Sequence, residues 1–279
     1  NDMRKALLTI YFLFQCASAQ YTHTGIDRKI SFPDIKGYKT LSCDLHTHTV
    51  FSDGSVWPSI RVAEANKDGL DAIAVTEHIE YQSYKEDIPH PDRNRSYDLT
   101  KKYAKGSDLM VIAGTEITKK MPPGHANAIF VKDVNKIMND DYMKSYEAAR
   151  KQGAFTFWNH PHWIGQRKDA SVKVFDEVEE LINKRLLHGI EVTNERTYSD
   201  QAIQVALDHD LTMIGTSDVH DLVDWDYKIP EGGHRPVTLV FSKRKNLKDL
   251  KRSLFQGRTV VWYNNILIGK NEWMTPLIN

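Results

Sequence analysis

From Tyr38 onward the chain alternates short apolar runs with amphipathic stretches. Apolar runs of about 4–8 residues rich in β-branched and aromatic side chains predict buried strands, and longer segments with apolar positions at helical spacing predict helices packed outside them. On this reading strands cover Leu41 to Thr47, Ala72 to Thr76, Leu109 to Gly114, Ala154 to Trp158, Gly189 to Val192, Leu211 to Gly215 and Val237 to Phe241, with a hairpin-like return at Ala126 to Val131. Helices are predicted at Trp57 to Lys67, Tyr97 to Lys105, Asp140 to Gln152, Phe175 to Lys184, Ser199 to His209 and Leu247 to Phe255. Pro58 in a first helical turn, Gly69 and Gly153 just past helix ends and the Ser199-Asp200 cap punctuate them. Seven strands alternating with six helices predict parallel strands with helices outside, an α/β fold.

Ahead of that domain the pattern differs. Asn1-Asp2 reads as a cloning remnant before Met3; Arg4-Lys5, an apolar run from Ala6 to Phe14 and Ala17-Ser18-Ala19 make a charged, an apolar and a small-residue region in the order of a signal peptide. Residues 1–19 are therefore expected to be removed after Ala19, giving a secreted or periplasmic protein with no membrane span left, since no other run reaches spanning length. Residues 20–37 are read as an N-terminal arm, 38–257 as the domain and 258–279 as a C-terminal tail that either covers the barrel or begins another domain. The long connection from Glu80 to Ser96 is read as a substrate lid.

At 279 residues the chain suffices for one large domain. Its 37 basic and 37 acidic residues cancel, so no global field attracts nucleic acid, and nothing signals an oligomeric state. Of two cysteines, Cys16 falls in the leader and Cys43 in the first strand, which excludes a structural disulfide and makes Cys43 an inert buried thiol.

The chemistry-bearing residues recur at strand ends. His46 and His48 share one face of the first strand at period two, and Asp53 follows at its mouth. Glu77-His78 ends the second strand and Glu116 the third; His125 opens the return; His160 and Asp218-Val219-His220 end later strands. In a parallel barrel those ends share the face where active sites sit. Six imidazoles and three carboxylates exceed the needs of one ion and imply two or three divalent metals, with zinc, manganese or iron suiting the donors. Three such ions would outweigh Asp53, Glu116 and Asp218, and the surplus charge would draw an anion such as a phosphoester.

His46-Thr-His48, Ser52-Asp53-Gly54, Thr76-Glu77-His78, Gly114-Thr115-Glu116, Gly124-His125, Asn159-His160-Pro161 and Ser217-Asp218-Val219-His220 together resemble the signature motifs of the PHP (polymerase and histidinol phosphatase) metal-dependent phosphoesterases. The likeness runs from about Leu41 to Phe255. It implies a distorted, TIM-like (β/α)7 barrel. It also implies one metal on His46, His48, Glu116 and Asp218, a second on Asp53, His78 and His220, and a third on Glu116, His125 and His160, with Glu116 as a bridge. Some members carry histidine where Asp53 stands, and Glu77, often Asp in the family, is read as a support rather than a ligand.

The expected function is that of a metal-dependent phosphoester hydrolase acting on a small molecule, leaning to phosphodiesters, through a metal-bridging hydroxide. Glu116, Asp218 and His220 are its catalytic residues. Arg196, Arg93 and, less directly, His162 are candidates for holding substrate, with Lys85 and Arg95 further off and Trp158 and Trp163 as walls; the planar guanidinium of arginine matches two phosphate oxygens. His23, His188, His209 and His234 are read as solvated or capping. An amidohydrolase-like C–N or C–O hydrolase also opens with His-x-His, but the bridging lysine common there has no counterpart beside Glu116 and Asp218-x-His220. A non-catalytic periplasmic metal-binding module is the remaining alternative.

Overall fold

The computed structural model describes residues 28–279; the expected signal peptide, Cys16 and His23 lie outside the described residues. The first strand β1 (Lys39–Asp44) is followed by α1 (Pro58–Lys67), β2 (Ala72–Val75), α2 (Arg95–Tyr103), β3 (Met110–Ile117) and β4 (Ala126–Ile129). Next come α3 (Tyr142–Lys151), β5 (Phe155–Trp158), α4 (Asp176–Asn183), β6 (Gly189–Asn194), β7 (Thr197–Tyr198), α5 (Asp200–Asp208) and β8 (Thr212–Thr216). A short α6 (Val223–Asp226), β9 (Val237–Ser242), α7 (Leu247–Phe255), β10 (Thr259–Tyr263), β11 (Ile266–Gly269) and α8 (Asn271–Ile278) complete the chain.

The strands form a distorted TIM-like barrel. β1, β2 and β3 are parallel neighbours, as are β5, β6 and β8. β4 runs antiparallel between β3 and β5, as the hairpin-like return expected there, whereas β9 breaks the expected parallel order by running antiparallel to β1. For β4 the reason lies in the connection, because only a short loop separates it from β3, and a parallel pair needs a crossover of a dozen residues or more.

Where the sheet curls back, β8 meets β9 and β10 through side chains rather than a ladder. Thr238 Oγ1 accepts from Gly215 N at 3.0 Å and donates to Gly215 O at 2.8 Å, and Thr259 Oγ1 donates to Met213 O at 2.8 Å. A methyl group on Gly215 would fall 2.2 Å from Val261 Cγ1, so this approach requires glycine.

Helix ends follow local chemistry: Asp141, Ser199 and Asn246 cap α3, α5 and α7 by accepting backbone N–H bonds. Each helix buries one stripe, as Leu250, Ser253 and Leu254 do for α7. The segment expected to be a tail instead extends the sheet, since β10 pairs with β9 and β11 with β10. The described part of the arm is also built in: Ile30 and Ile35 are core residues, and Arg28 pairs with Asp68 and Asp224. No helix among the described residues is long and apolar enough to cross a membrane.

Candidate metal centre

β1, β2, β3, β5, β6 and β8 run alike and bring their carboxyl ends to one face. β4, running the other way, brings its amino end there, which is how His125 just before it joins residues that follow other strands. The structure gathers all nine residues expected to bind metal: His46, His48, Asp53, His78, Glu116, His125, His160, Asp218 and His220.

His46, His48 and Glu116 come close enough to share an ion, and Asp218 lies against both rings. His46 Nε2 lies 3.0 Å from His48 Nε2 and 3.0 Å from Asp218 Oδ1; His48 Nε2 lies 3.1 Å from that oxygen, and both nitrogens lie 3.4 Å from Glu116 Oε2. A tetrahedral cation with ligands at about 2.0–2.2 Å has ligand–ligand edges of roughly 3.3–3.6 Å. Glu116 Oε2 and Asp218 Oδ1 are buried and have no hydrogen-bond partner. Two orphaned carboxylate oxygens facing two imidazole nitrogens fit a divalent cation.

A second group joins Asp53 to His78 and His220. Their Nε2 atoms lie 3.2 Å and 3.3 Å from its oxygens, with His48 on the inner side. Around Glu116 Oε1 stand His125 Nδ1 at 2.9 Å and His160 Nε2 at 3.5 Å, while His78 Nδ1 is 2.9 Å from Oε2. Glu116 thus touches ligands of all three groups.

Supporting contacts fix the rings. His46 Nδ1 is 2.9 Å from Glu191 Oε1, and His220 Nδ1 is 2.7 Å from the Asp218 carbonyl oxygen, which leaves each Nε2 facing the cluster. Asn194 Nδ2 bridges Glu191 Oε2 at 2.8 Å and Asp218 Oδ2 at 3.2 Å. Asp218 and His160 hold left-handed backbone, with φ of 48° and 27°, a strain that surrounding bonds must sustain.

The electrostatics favour cations. Burial pushes the Glu116 and Asp218 carboxyls up, but the imidazoles more than reverse it and hold both well below the usual carboxylate range. Burial likewise lowers His46 and His78, yet the neighbouring carboxylates raise His46 well above its ordinary value and push His78 up to about 11. An entering ion therefore competes with protons at those rings.

Two buried residues went unread in the sequence. Glu191 is a lone acid within the apolar β6, and Arg61 a lone cation on the buried stripe of α1. Arg61 donates to the carbonyl oxygens of His48, Val219, His220 and Asp221 at 2.7–3.0 Å, joining the two ligand segments. Each was visible as a charge at a core-facing position.

The expected substrate-gripping residues sit otherwise. Arg196 occupies the tip of the β6–β7 hairpin, exposed, with Nη1 3.5 Å from Asp226 O; the strand turns back at Asn194 and so does not aim Arg196 at the ligands. His162 is buried with Nε2 2.9 Å from Thr197 Oγ1. Arg93 is half-buried with the Glu77 and Glu80 carboxylates as its charged neighbours, and Lys85 lies exposed beside Glu86. Among the described residues no Lys or Arg pairs with Asp53, Glu116 or Asp218.

Glu77 makes four bonds, from Thr49 N, Thr49 Oγ1, Ser52 Oγ and Ser96 Oγ, and so braces the Asp53 turn. The 80–96 connection is seated on that turn, with Ser83 N donating to Ser52 O at 2.9 Å and His90 Nε2 2.7 Å from Phe51 O. Trp158 is core, whereas Trp163 is 47% exposed beside His125 and His160. His188, expected to be solvated, is half-buried between Phe155 and Phe255.

Comparison with known proteins agrees with this arrangement. The PHP domain family model matches residues 44–189. A crystal structure from Bacteroides vulgatus ATCC 8482, of a two-domain protein containing a predicted PHP-like metal-dependent phosphoesterase, is 46% identical; it covers 90% of this chain and 72% of its own, with a TM-score of 0.87. An uncharacterized protein of Methanocaldococcus jannaschii is 27% identical over 198 residues, 66% of this chain and 85% of its own length. PsfC from Pseudomonas syringae PB-5123, 16% identical over 86% of this chain and 96% of its own with a TM-score of 0.53, shares the fold.

Proposed function

The chain belongs to the PHP domain family, and on that premise we propose that it hydrolyses small organic phosphoesters, phosphodiesters in preference, with two to three divalent ions held by the nine gathered residues. The observation that carries this reading is the pair of orphaned carboxylate oxygens on Glu116 and Asp218, packed against His46 and His48. Zinc, manganese and iron all suit such mixed nitrogen and oxygen donors. Bound there, a divalent ion supplies positive charge for a phosphoryl oxygen and makes water a better nucleophile at neutral pH.

The chain's own residues do the rest. His46 is held in one tautomer by Glu191, and Asp218 is oriented by Asn194, so the ligand atoms need little rearrangement as charge develops. Glu116, reaching three groups of ligands, fixes their mutual spacing. The preference for a diester is supported by the scarcity of fixed cations: Arg196 and Lys85 point elsewhere and Lys119 pairs with Glu80 at 2.7 Å. A singly charged diester needs fewer such partners than a doubly charged monoester.

The test is a turnover screen of phosphomonoesters, phosphodiesters and lactones on one metal-loaded sample. Diester cleavage is expected to dominate; turnover of lactones with none of either phosphoester would overturn the reading in favour of amidohydrolase-like chemistry. The leader pattern in residues 3–19 supports export, which predicts a mature chain starting at Gln20; an intact Met3 terminus in the mature pool would contradict it.

A further inference from the structure

The loop after β5 carries an indole that metal ligation does not use. Trp163 has its ring centroid 5.3 Å from that of His160 and 5.8 Å from that of His125. A tight turn fixes its backbone: Trp163 N donates to His160 O at 2.8 Å, and Gln166 N and Arg167 N donate to Trp163 O at 3.1 Å and 2.9 Å. Two residues on stands Gly165, where an added methyl group would fall 2.5–2.7 Å from three atoms of the indole. Gly165 does not adopt left-handed backbone, so it is the ring's seat that excludes a side chain there. Tyr81, 52% exposed, lies 6.1 Å from His78, whose ring is 5.7 Å from that of His125.

Two exposed aromatic rings therefore border neighbouring imidazoles of the metal centre, and one of them is held against bare backbone. The nearby cation, Arg167, is committed to Asp169 and to the face of Phe175, so a group leaving on this side meets π-surface rather than charge. We propose that Trp163 is a platform for a planar aromatic or heteroaromatic leaving group, so that aryl phosphoesters are preferred over alkyl ones. This rests on the phosphoester reading above. A rigid ring offers stacking area at little entropic cost, and Gly165 supplies the rigidity.

The test uses the metal-loaded full chain with phenylphosphonate and methylphosphonate, non-hydrolysable probes of equal charge, and calorimetry to compare their dissociation constants. The parent should bind the phenyl compound about tenfold tighter. Trp163→Ala should bring the ratio to about one to two, and so should Gly165→Ala, which keeps the indole but denies it its seat. The ratio is internal to each variant, so any change in metal loading divides out. Equal binding of both probes by the parent, or a tenfold ratio surviving in either variant, would overturn the platform and leave the phosphoester reading standing. If the parent binds neither probe, the platform falls, and the turnover screen above decides the phosphoester reading separately.

Discussion

Ser217 stands between two buried acids that the fold treats in opposite ways. On one side Asp44 accepts from Ser217 N at 3.1 Å, from Ser217 Oγ at 2.5 Å and from Arg235 Nη1 at 3.0 Å, and Arg235 also pairs with Asp68. On the other, Asp218 receives one amide from Asn194, and its Oδ1 faces imidazole nitrogens, those of His46 and His48 nearest. Glu77 and Glu116 repeat the contrast, the first saturated by backbone and hydroxyl donors, the second ringed by imidazoles. A buried carboxylate costs several kcal/mol unless it is compensated. Donors that cannot leave mark an acid that builds the fold; imidazole protons, which an ion can replace, mark an acid that holds one.

The largest effect expected from this contrast is at Glu116. Replacing it with Gln keeps the shape but removes the charge shared by three groups of ligands. Glu116→Gln should lose metal at more than one site and lower turnover by about 100-fold or more, whereas His125→Asn, which removes a peripheral ligand, should lose metal from its own group alone. Elemental analysis and turnover of both variants check this. A full metal complement with near-parental rate in Glu116→Gln would break the distinction between the two kinds of acid.

The same distinction explains what was legible in the sequence. His46 and His48 are readable because period two puts them on one face, and the strand-end position of Glu116, His160 and Asp218 follows from apolar runs that stop just before them. The alternation of strands and helices gave the α/β order, the family resemblance the barrel, and the return at β4 was legible as a hairpin, but the reversed direction of β9 depends on which neighbours the strand finds, which periodicity does not encode. Glu191 and Arg61 escaped because a single charge in an apolar stripe reads as noise until its partners, 145 residues away for Glu191 and His46, are known. Arg196 was misjudged because alternation was extended past Asn194, where β6 turns into a hairpin.

The compensated side predicts a different loss. Asp44→Asn keeps an acceptor for Ser217 N but leaves the Arg235 guanidinium with Asp68 as its remaining acid. Breaking a buried pair costs about 3–5 kcal/mol, and with Asp68 retained the lower end is expected. Denaturant unfolding should show that loss, while metal content stays parental because no ligand is touched. Loss of metal without loss of stability would reverse the roles assigned to the two sides of Ser217.

The smallest effect extends the rule from acids to a base. His188 Nδ1 accepts from Thr156 N at 3.2 Å and lies 2.9 Å from Thr156 Oγ1, while Phe155 and Phe255 enclose the ring. Burial lowers this imidazole to about 4, against about 6.5 in an unfolded chain. Between those values the unfolded state binds the extra proton, so the contribution is complete above about pH 6.5 and is lost as pH falls toward 4. Its size is about 1–3 kcal/mol, an upper figure because the ring keeps some solvent contact. Asn at this position offers an oxygen near the place of Nδ1 but does not titrate. His188→Asn should therefore be less sensitive to acid than the parent over that window, and since the metal ligands are common to both proteins, their titration cancels in the difference. Identical pH profiles of unfolding would show that His188 takes up its proton as readily folded as unfolded, and that the permanent-partner rule stops at the acids.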